Sequence, residues 1–250
     1  MSFRYVALGD STVEGLMDPG HDGVYVGWAD RLAQHLKAQH PDLLYANLAI
    51  RGRLASEVRA EQLDRAVAMR PDIAVAVAGV NDVLRPSFDP DRLRDDLFAI
   101  HSALADTGAR VVTFTMPDMG SVAPIAIALR GRFGTLNAIT HELAARFGTI
   151  VVDLASEPVA SHPALWDDDR LHGNSEGHRR IALALAEGLD LPLEDDWRAP
   201  LPSVPRRLPH VLLGEARWVL THLLPWAVRH VRGQSSGDVV TAKRPELMPL

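Results

Sequence analysis

The feature that most constrains this chain is a rhythm. Short runs of β-branched and other apolar residues alternate with longer stretches whose apolar residues recur at helical spacing. That alternation marks a parallel sheet with crossover helices, because parallel neighbours need a dozen or more residues to return to the same edge. Strands are predicted over residues 4–8, 43–48, 73–78, 110–115 and 149–154. Between them, Trp28, Leu32, His35 and Leu36 share one face of a helix over 28–39, and Val58, Leu63, Ala66 and Val67 share one over 54–69. Leu93, Leu97, Ile100 and Leu104 do the same over 91–105; residues 136–147 repeat the pattern, and 175–189 form a last helix capped by Asn174 or Ser175. Right-handed crossovers and the need to cover both sheet faces lead to a three-layer α/β/α sandwich, flavodoxin-like, with a central parallel sheet of about five strands.

Two units are expected. Residues 1–190 hold the sandwich; residues 191–250 form a C-terminal extension, first a strap punctuated by Pro192, Pro200, Pro202, Pro205 and Pro209. Residues 211–231 then mix Leu, Val and Trp with Arg217 and Arg229, and Pro225 should kink or split any helix there. Packing of this segment on the core is the first expectation. Weak membrane-surface contact is the second, since basic residues stand beside Trp and Leu. Residues 233–250 read as a polar, extended, loosely tied tail.

A net charge of −6 argues against a uniformly basic nucleic-acid binder, so no nucleic-acid partner is expected. With no cysteine among 250 residues, thiolate metal sites, thiol nucleophiles and disulfides are excluded. The first predicted strand begins almost at Met1, which leaves no room for a signal peptide. No apolar run is long enough to span a bilayer, and a cytoplasmic location is the expectation.

Four stretches fall where a parallel sheet delivers residues to its carboxyl edge, the ligand edge of open α/β folds. The first strand leads into Gly9-Asp10-Ser11, the second into Arg51-Gly52, and the third into Gly79-Val80-Asn81-Asp82. Beyond the fifth come Asp169-Arg170-Leu171-His172-Gly173-Asn174. A serine hydroxyl becomes a good nucleophile when a base takes its proton and a third group orients that base. His172 suits the base and Asp169, three residues earlier, the orienting acid. Charge developing on a carbonyl oxygen needs preorganised donors, which the backbone N–H groups of Ser11 and Gly52 and the Asn81 amide can supply.

At these residues the chain resembles the SGNH hydrolase superfamily, the GDSL-type esterases and lipases, over roughly residues 4–189. The resemblance implies a Ser11-His172-Asp169 triad and an oxyanion hole of Ser11, Gly52 and Asn81. It implies a hydrolase fold over 1–190 and no cofactor. Two positions depart from the family pattern: Thr12 stands where Leu is frequent, and Gly173 follows the histidine where Pro is usual. The second change should leave the geometry intact while loosening the loop, because Gly has more conformational entropy to lose than Pro.

Other features carry less. Gly233-Gln234-Ser235-Ser236-Gly237 fits the G-x-S-x-G pattern, but no histidine follows it. Asp169, His172 and His178 include common ligand types, yet His178 reads better as a packing or hydrogen-bonding residue of the last helix, so no metal is expected. Asp10, placed just before the nucleophile, suits hydrogen bonds to loop backbone and is grouped with Leu84 and Trp166 as a substrate contact. The functional expectation is a serine esterase or acyl hydrolase that cleaves small-molecule carboxylic esters through an acyl-enzyme, with short to medium acyl groups. The alternatives are an acyltransferase on a small metabolite using the same triad and a non-catalytic binding protein.

Overall fold

The computed structural model describes residues 2–20, 23–202, 218, 221 and 237–250. The chain alternates as anticipated. β1 (Arg4–Gly9) leads into a single helical turn, α1 (Ser11–Glu14), and then α2 (Gly27–Gln39) and β2 (Leu44–Asn47). α3 (Ala55–Ala68), β3 (Ile73–Val77) and the short α4 (Val80–Leu84) follow, then α5 (Pro90–Asp106) and β4 (Arg110–Phe114). After two 3-10 turns come α6 (Arg130–Phe147) and β5 (Ile150–Val152); three more 3-10 turns precede α7 (Ser175–Gly188), and β6 (Arg244–Pro249) closes the chain. Each predicted strand and helix is present, with its ends shifted by a few residues.

The sheet runs β5-β4-β3-β1-β2-β6, and its first five strands are parallel in the flavodoxin-like order. All five residues of β3 are buried, as a central strand covered on both faces requires. α2 and α7 pack on one another, and α3, α5 and α6 pack in series. Trp28 of α2 meets Phe114 of β4 edge to face at 5.5 Å, a geometry aromatic pairs favour.

Six strands replace the expected five. β6 runs antiparallel to β2, with Leu44 opposite Pro249 and Tyr45 opposite Met248. This corrects the reading of 233–250 as a loosely tied tail: residues 244–249 complete an edge of the sheet. Two prolines in six residues hid the strand. Proline is tolerated in an edge strand, where one side of the ladder is unpaired. Just before β6, the Lys243 ammonium donates to the carbonyls of Tyr25 and Val26 at 3.0 and 2.6 Å and pairs with Asp30 at 3.0 Å. Burial pushes the Lys243 pKa down against the pull of Asp30. Residues 211–231 lie outside the described residues except for Trp218 and Thr221, and the G-x-S-x-G stretch lies outside them except for Gly237. Among the described residues no helix is long and apolar enough to cross a membrane.

Lys243→Ala should lower stability by about 3 kcal/mol, because it leaves Asp30 and two carbonyls without their shared cation. A urea titration showing a loss under about 0.5 kcal/mol would mean that Lys243 does not anchor the edge strand.

Candidate active site

Parallel order 2-1-3-4-5 reverses its winding direction between β1 and β3, so a crevice opens at their carboxyl ends. β1 ends there on Gly9. Its φ is +149°, and a Cβ would stand 2.1 Å from the Val77 carbonyl oxygen of β3 and 2.5 Å from a Val13 methyl. Glycine is therefore what lets the chain leave the sheet between β3 and the first turn of α1. The buried Gln62 of α3 holds both polar groups of Gly9, accepting from its N–H and donating to its carbonyl, each at 2.9 Å. Asp10 then caps α1, accepting from the Thr12 N–H at 3.0 Å.

Ser11, the first residue of α1, is thereby presented at the sheet edge. Its Oγ lies 2.8 Å from His172 Nε2, and His172 Nδ1 lies 2.6 Å from Asp169 Oδ2. The other Asp169 oxygen accepts the backbone N–H groups of Leu171 and His172 at 2.9 and 3.0 Å. Burial acts to raise the pKa of this carboxyl, but the His172 ring and those two N–H groups outweigh it and hold it below the usual range. Asp169 is thus the ionised end of the chain, and it fixes the proton of His172 on Nδ1 and leaves Nε2 as acceptor for the serine hydroxyl.

His178 explains how residues 161 positions apart meet. On the first turn of α7, its Nδ1 accepts the Trp28 N–H at 3.1 Å and its Nε2 donates to the Leu16 carbonyl at 2.8 Å. Burial lowers its pKa to about 4, so it stays neutral and keeps the tautomer both bonds need. The helix that follows the histidine loop is thereby bolted to the segment that follows the serine. The loop itself is closed by an antiparallel bridge between Trp166 and Gly173 and by the Asp167 N–H donating to the His172 carbonyl at 2.9 Å. The geometry thus stands with Gly173 in place.

The other predicted residues gather on the opposite side of Ser11. Asn81, on the first turn of α4, donates to Asp10 Oδ2 at 3.2 Å and to the Arg53 carbonyl at 3.1 Å. Gly52, with φ +75°, lies between Arg53 and Arg51. The Arg51 N–H donates to the Glu14 carboxylate at 2.8 Å, and its guanidinium pairs with the same group. Glu14 is buried one turn after Ser11, so the Gly52 loop is held from both ends against the serine turn. Both amide hydrogens of Asn81 are engaged, and a substrate oxygen would have to share or displace one of those bonds. Glu14 and Gln62 were not singled out from sequence; His178 was expected to pack or hydrogen-bond on the last helix, without its partners being named. Each works through a partner at least 37 positions away, and no local pattern announces such a contact.

An apolar pocket of ≈ 70 Å³ adjoins the other side of His172 and Thr12, walled by Phe114, Met116, Met119, Phe133, Leu154 and Trp166. Trp166 is where a substrate contact was expected. Leu84 is not on the wall; Val80, a turn earlier on α4, takes that place. Asp10 also departs from its grouping with the substrate contacts. It is 1% exposed behind Ser11, with its carboxylate turned to Thr12 and Asn81. Among the described residues no cluster of three or more His, Asp or Glu side chains is arranged to hold a metal.

A flavodoxin-like sheet carrying a serine, an imidazole and a carboxylate in series at its switch point has the architecture of the SGNH hydrolases. The model of the GDSL-like lipase/acylhydrolase family matches residues 7–180, and the chain belongs to that family of hydrolases. Solved structures agree on the fold. An α/β hydrolase, LAE5, from the metagenome of Lake Arreo in Spain superposes with a TM-score of 0.63 at 22% identity, over 76% of this chain and 97% of that one. The acetyl xylan esterase AlAXEase gives 0.62 at 18% identity, over 75% and 100%. The psychrotrophic esterase EstA from Pseudoalteromonas gives 0.58 at 16%, over 75% and 96%. No curated protein sequence matches the chain.

Burial, opposed by the Thr12 hydrogen bond and the field of His172, raises the Asp10 pKa to about 6. A carboxyl whose pKa is higher folded than unfolded contributes stability below its unfolded value and loses it as pH rises through the folded one. Relative to Asp10→Asn, the native protein should therefore lose about 1.4 kcal/mol per pH unit between pH ~4 and ~6. Parallel urea titrations of the two proteins at pH 4 and pH 7 measure this, and an unchanged difference would show that Asp10 does not titrate in that window.

Proposed function

We propose that the chain is a serine esterase acting on carboxylic esters of small molecules through an acyl-enzyme. The observation that carries this reading is the unbroken run of short hydrogen bonds from Ser11 through His172 to Asp169, at the sheet's switch point and beside an apolar pocket. Ser11 Oγ attacks the ester carbonyl carbon as His172 Nε2 takes its proton. The tetrahedral intermediate collapses when the imidazolium returns that proton to the leaving alkoxide, so an alcohol departs and Ser11 is acylated. Water, deprotonated by the same nitrogen, then attacks the acyl carbon, and its proton passes to Ser11 as the acid leaves. Asp169 holds the ring in the reactive tautomer and stabilises the imidazolium; it does not itself take the proton.

Negative charge on the carbonyl oxygen is met by the N–H groups of Ser11 and Gly52 and by Asn81, which gives up part of its bond to the Arg53 carbonyl as the oxygen arrives. That exchange is favourable only when the oxygen carries charge, which makes the contact stronger in the transition state than in the ground state. The apolar pocket takes the acyl chain. Its enclosed volume suits a short to medium chain, since each buried methylene adds only about 0.8 kcal/mol and an overlong chain must displace packed walls.

A p-nitrophenyl ester series from acetate upward should show an optimum at short to medium length, with hydrolysis abolished by Ser11→Ala. Residual turnover of that variant equal to the native protein would discard Ser11 as nucleophile. Asn81→Ala should lower kcat by about 10²–10³ with KM little changed. Equal kcat in that variant would remove Asn81 from the oxyanion site.

A further inference from the structure

The turn that carries the acid and the base is braced from outside the catalytic fold. Arg170 sits between Asp169 and His172 with φ +58°, the left-handed region that non-glycine residues rarely adopt. A residue in that conformation swings the preceding carbonyl, that of Asp169, out of the turn's own hydrogen-bond ladder. Its partner is the indole of Trp218, whose Nε1–H donates to the Asp169 oxygen at 3.0 Å. The same ring lies 5.1 Å from the Arg170 guanidinium carbon, a cation–π contact across the strained residue. Trp218 is 8% exposed, and the bond is part-buried.

We propose that Trp218 is a positioning residue of the reaction: its Nε1–H fixes the Asp169 main chain and so sets the alignment of the Asp169–His172 pair. Three observations bear on this. Trp218 lies well beyond residue 180, where the match to the family model ends, so the brace is supplied by this chain's own extension. The loop it holds carries Gly173 where the family resemblance implies proline, and has the more need of an external tie. The extension also touches the other half of the site: a Cβ on Gly237 would come within 2.1 Å of the Arg51 carbonyl, and Asp238 pairs with Arg53 at 3.6 Å. One extension therefore bears on both the base-carrying loop and the oxyanion-side loop.

The energetic case follows from the donor count. Asp169 spends its carboxylate on the His172 ring and on two backbone N–H groups. If its carbonyl loses the indole, a part-buried acceptor is left without a partner, and the cheapest remedy is to rotate the 169–170 peptide toward water. That rotation moves the residue whose side chain orients the imidazole. Small displacements of a reacting group cost rate steeply, up to about 10²-fold for 1 Å.

This inference rests on the Ser11–His172 reading, and the experiment separates the two. Trp218→Phe keeps an aromatic ring over Arg170 and removes only the donor; Trp218→Ala removes both. For each, three quantities are measured in the full-length protein: kcat and KM on a p-nitrophenyl ester, the rate of fluorophosphonate labelling at Ser11, and the downfield proton resonance of His172 Nδ1–H. We expect kcat and labelling rate to fall about tenfold in the Phe variant and further in the Ala variant, with KM within about twofold, a complete labelling end point, and the Nδ1–H resonance weakened or shifted upfield. A Phe variant with native kcat, labelling rate and resonance would overturn the proposal, whether or not the Ala variant folds. Absence of labelling at Ser11 in the native protein would instead overturn the nucleophile assignment, and the resonance would still decide the role of Trp218.

Discussion

The rest of the site depends on one contact, the hydrogen bond between Ser11 and His172, because it joins the first loop of the fold to the last. Neither residue is placed by its neighbours in sequence. Ser11 stands where it does because Gly9 permits β1 to end tightly against β3 and because Gln62 occupies both polar groups of that glycine. His172 stands where it does because α7 packs along α2 and because His178 binds the two segments that follow Ser11. A neutral, buried histidine serves as the fastener for the loop that carries a second histidine. The two environments differ: His178 has a backbone partner on each ring nitrogen, whereas His172 has the Asp169 carboxylate on one and the Ser11 hydroxyl on the other.

The charged groups around Ser11 illustrate how a crevice trades stability for arrangement. Asp10, Glu14 and Asp169 are all largely withdrawn from water within a few residues of Ser11 or His172. Glu14 is compensated by Arg51, and Asp169 by His172 and two N–H groups. Asp10 is the least well compensated. It meets an N–H and an amide but no cation within hydrogen-bond reach, and burial raises its pKa to about 6. Its use is geometric: it caps the turn that bears Ser11 and accepts from the amide of Asn81, so one carboxylate couples the two sides of the site.

The C-terminal segment shows where a fold boundary read from composition differs from one read from contacts. Proline spacing and loss of strand pattern after residue 190 suggested an appendage. Yet residues 244–249 supply the sixth strand, Lys243 ties the α1–α2 loop to its start, and Trp218 reaches the turn that carries Asp169. β6 was illegible because the edge position that tolerates its prolines is a property of the assembled sheet. Strand periodicity in six residues containing Pro245 and Pro249 cannot be told from an extended tail.

What the sequence alone determined was the order of strands and helices, the parallel sheet and the identity of the residues at its carboxyl edge. Those follow from local rules: apolar periodicity sets element type, crossover handedness sets the strand order, and small polar residues mark the strand ends. Ser11, Gly52, Asn81, Asp169 and His172 were readable on that basis, as was Trp166 beside the pocket. Tertiary structure alone decided that Asp10 faces inward, that Val80 rather than Leu84 meets the pocket, and that Gln62, Glu14 and His178 hold the loops in place. These are contacts between groups far apart in the chain. Their free energy exists only after the sheet has formed and water has been excluded, and for that reason no neighbouring residue records them.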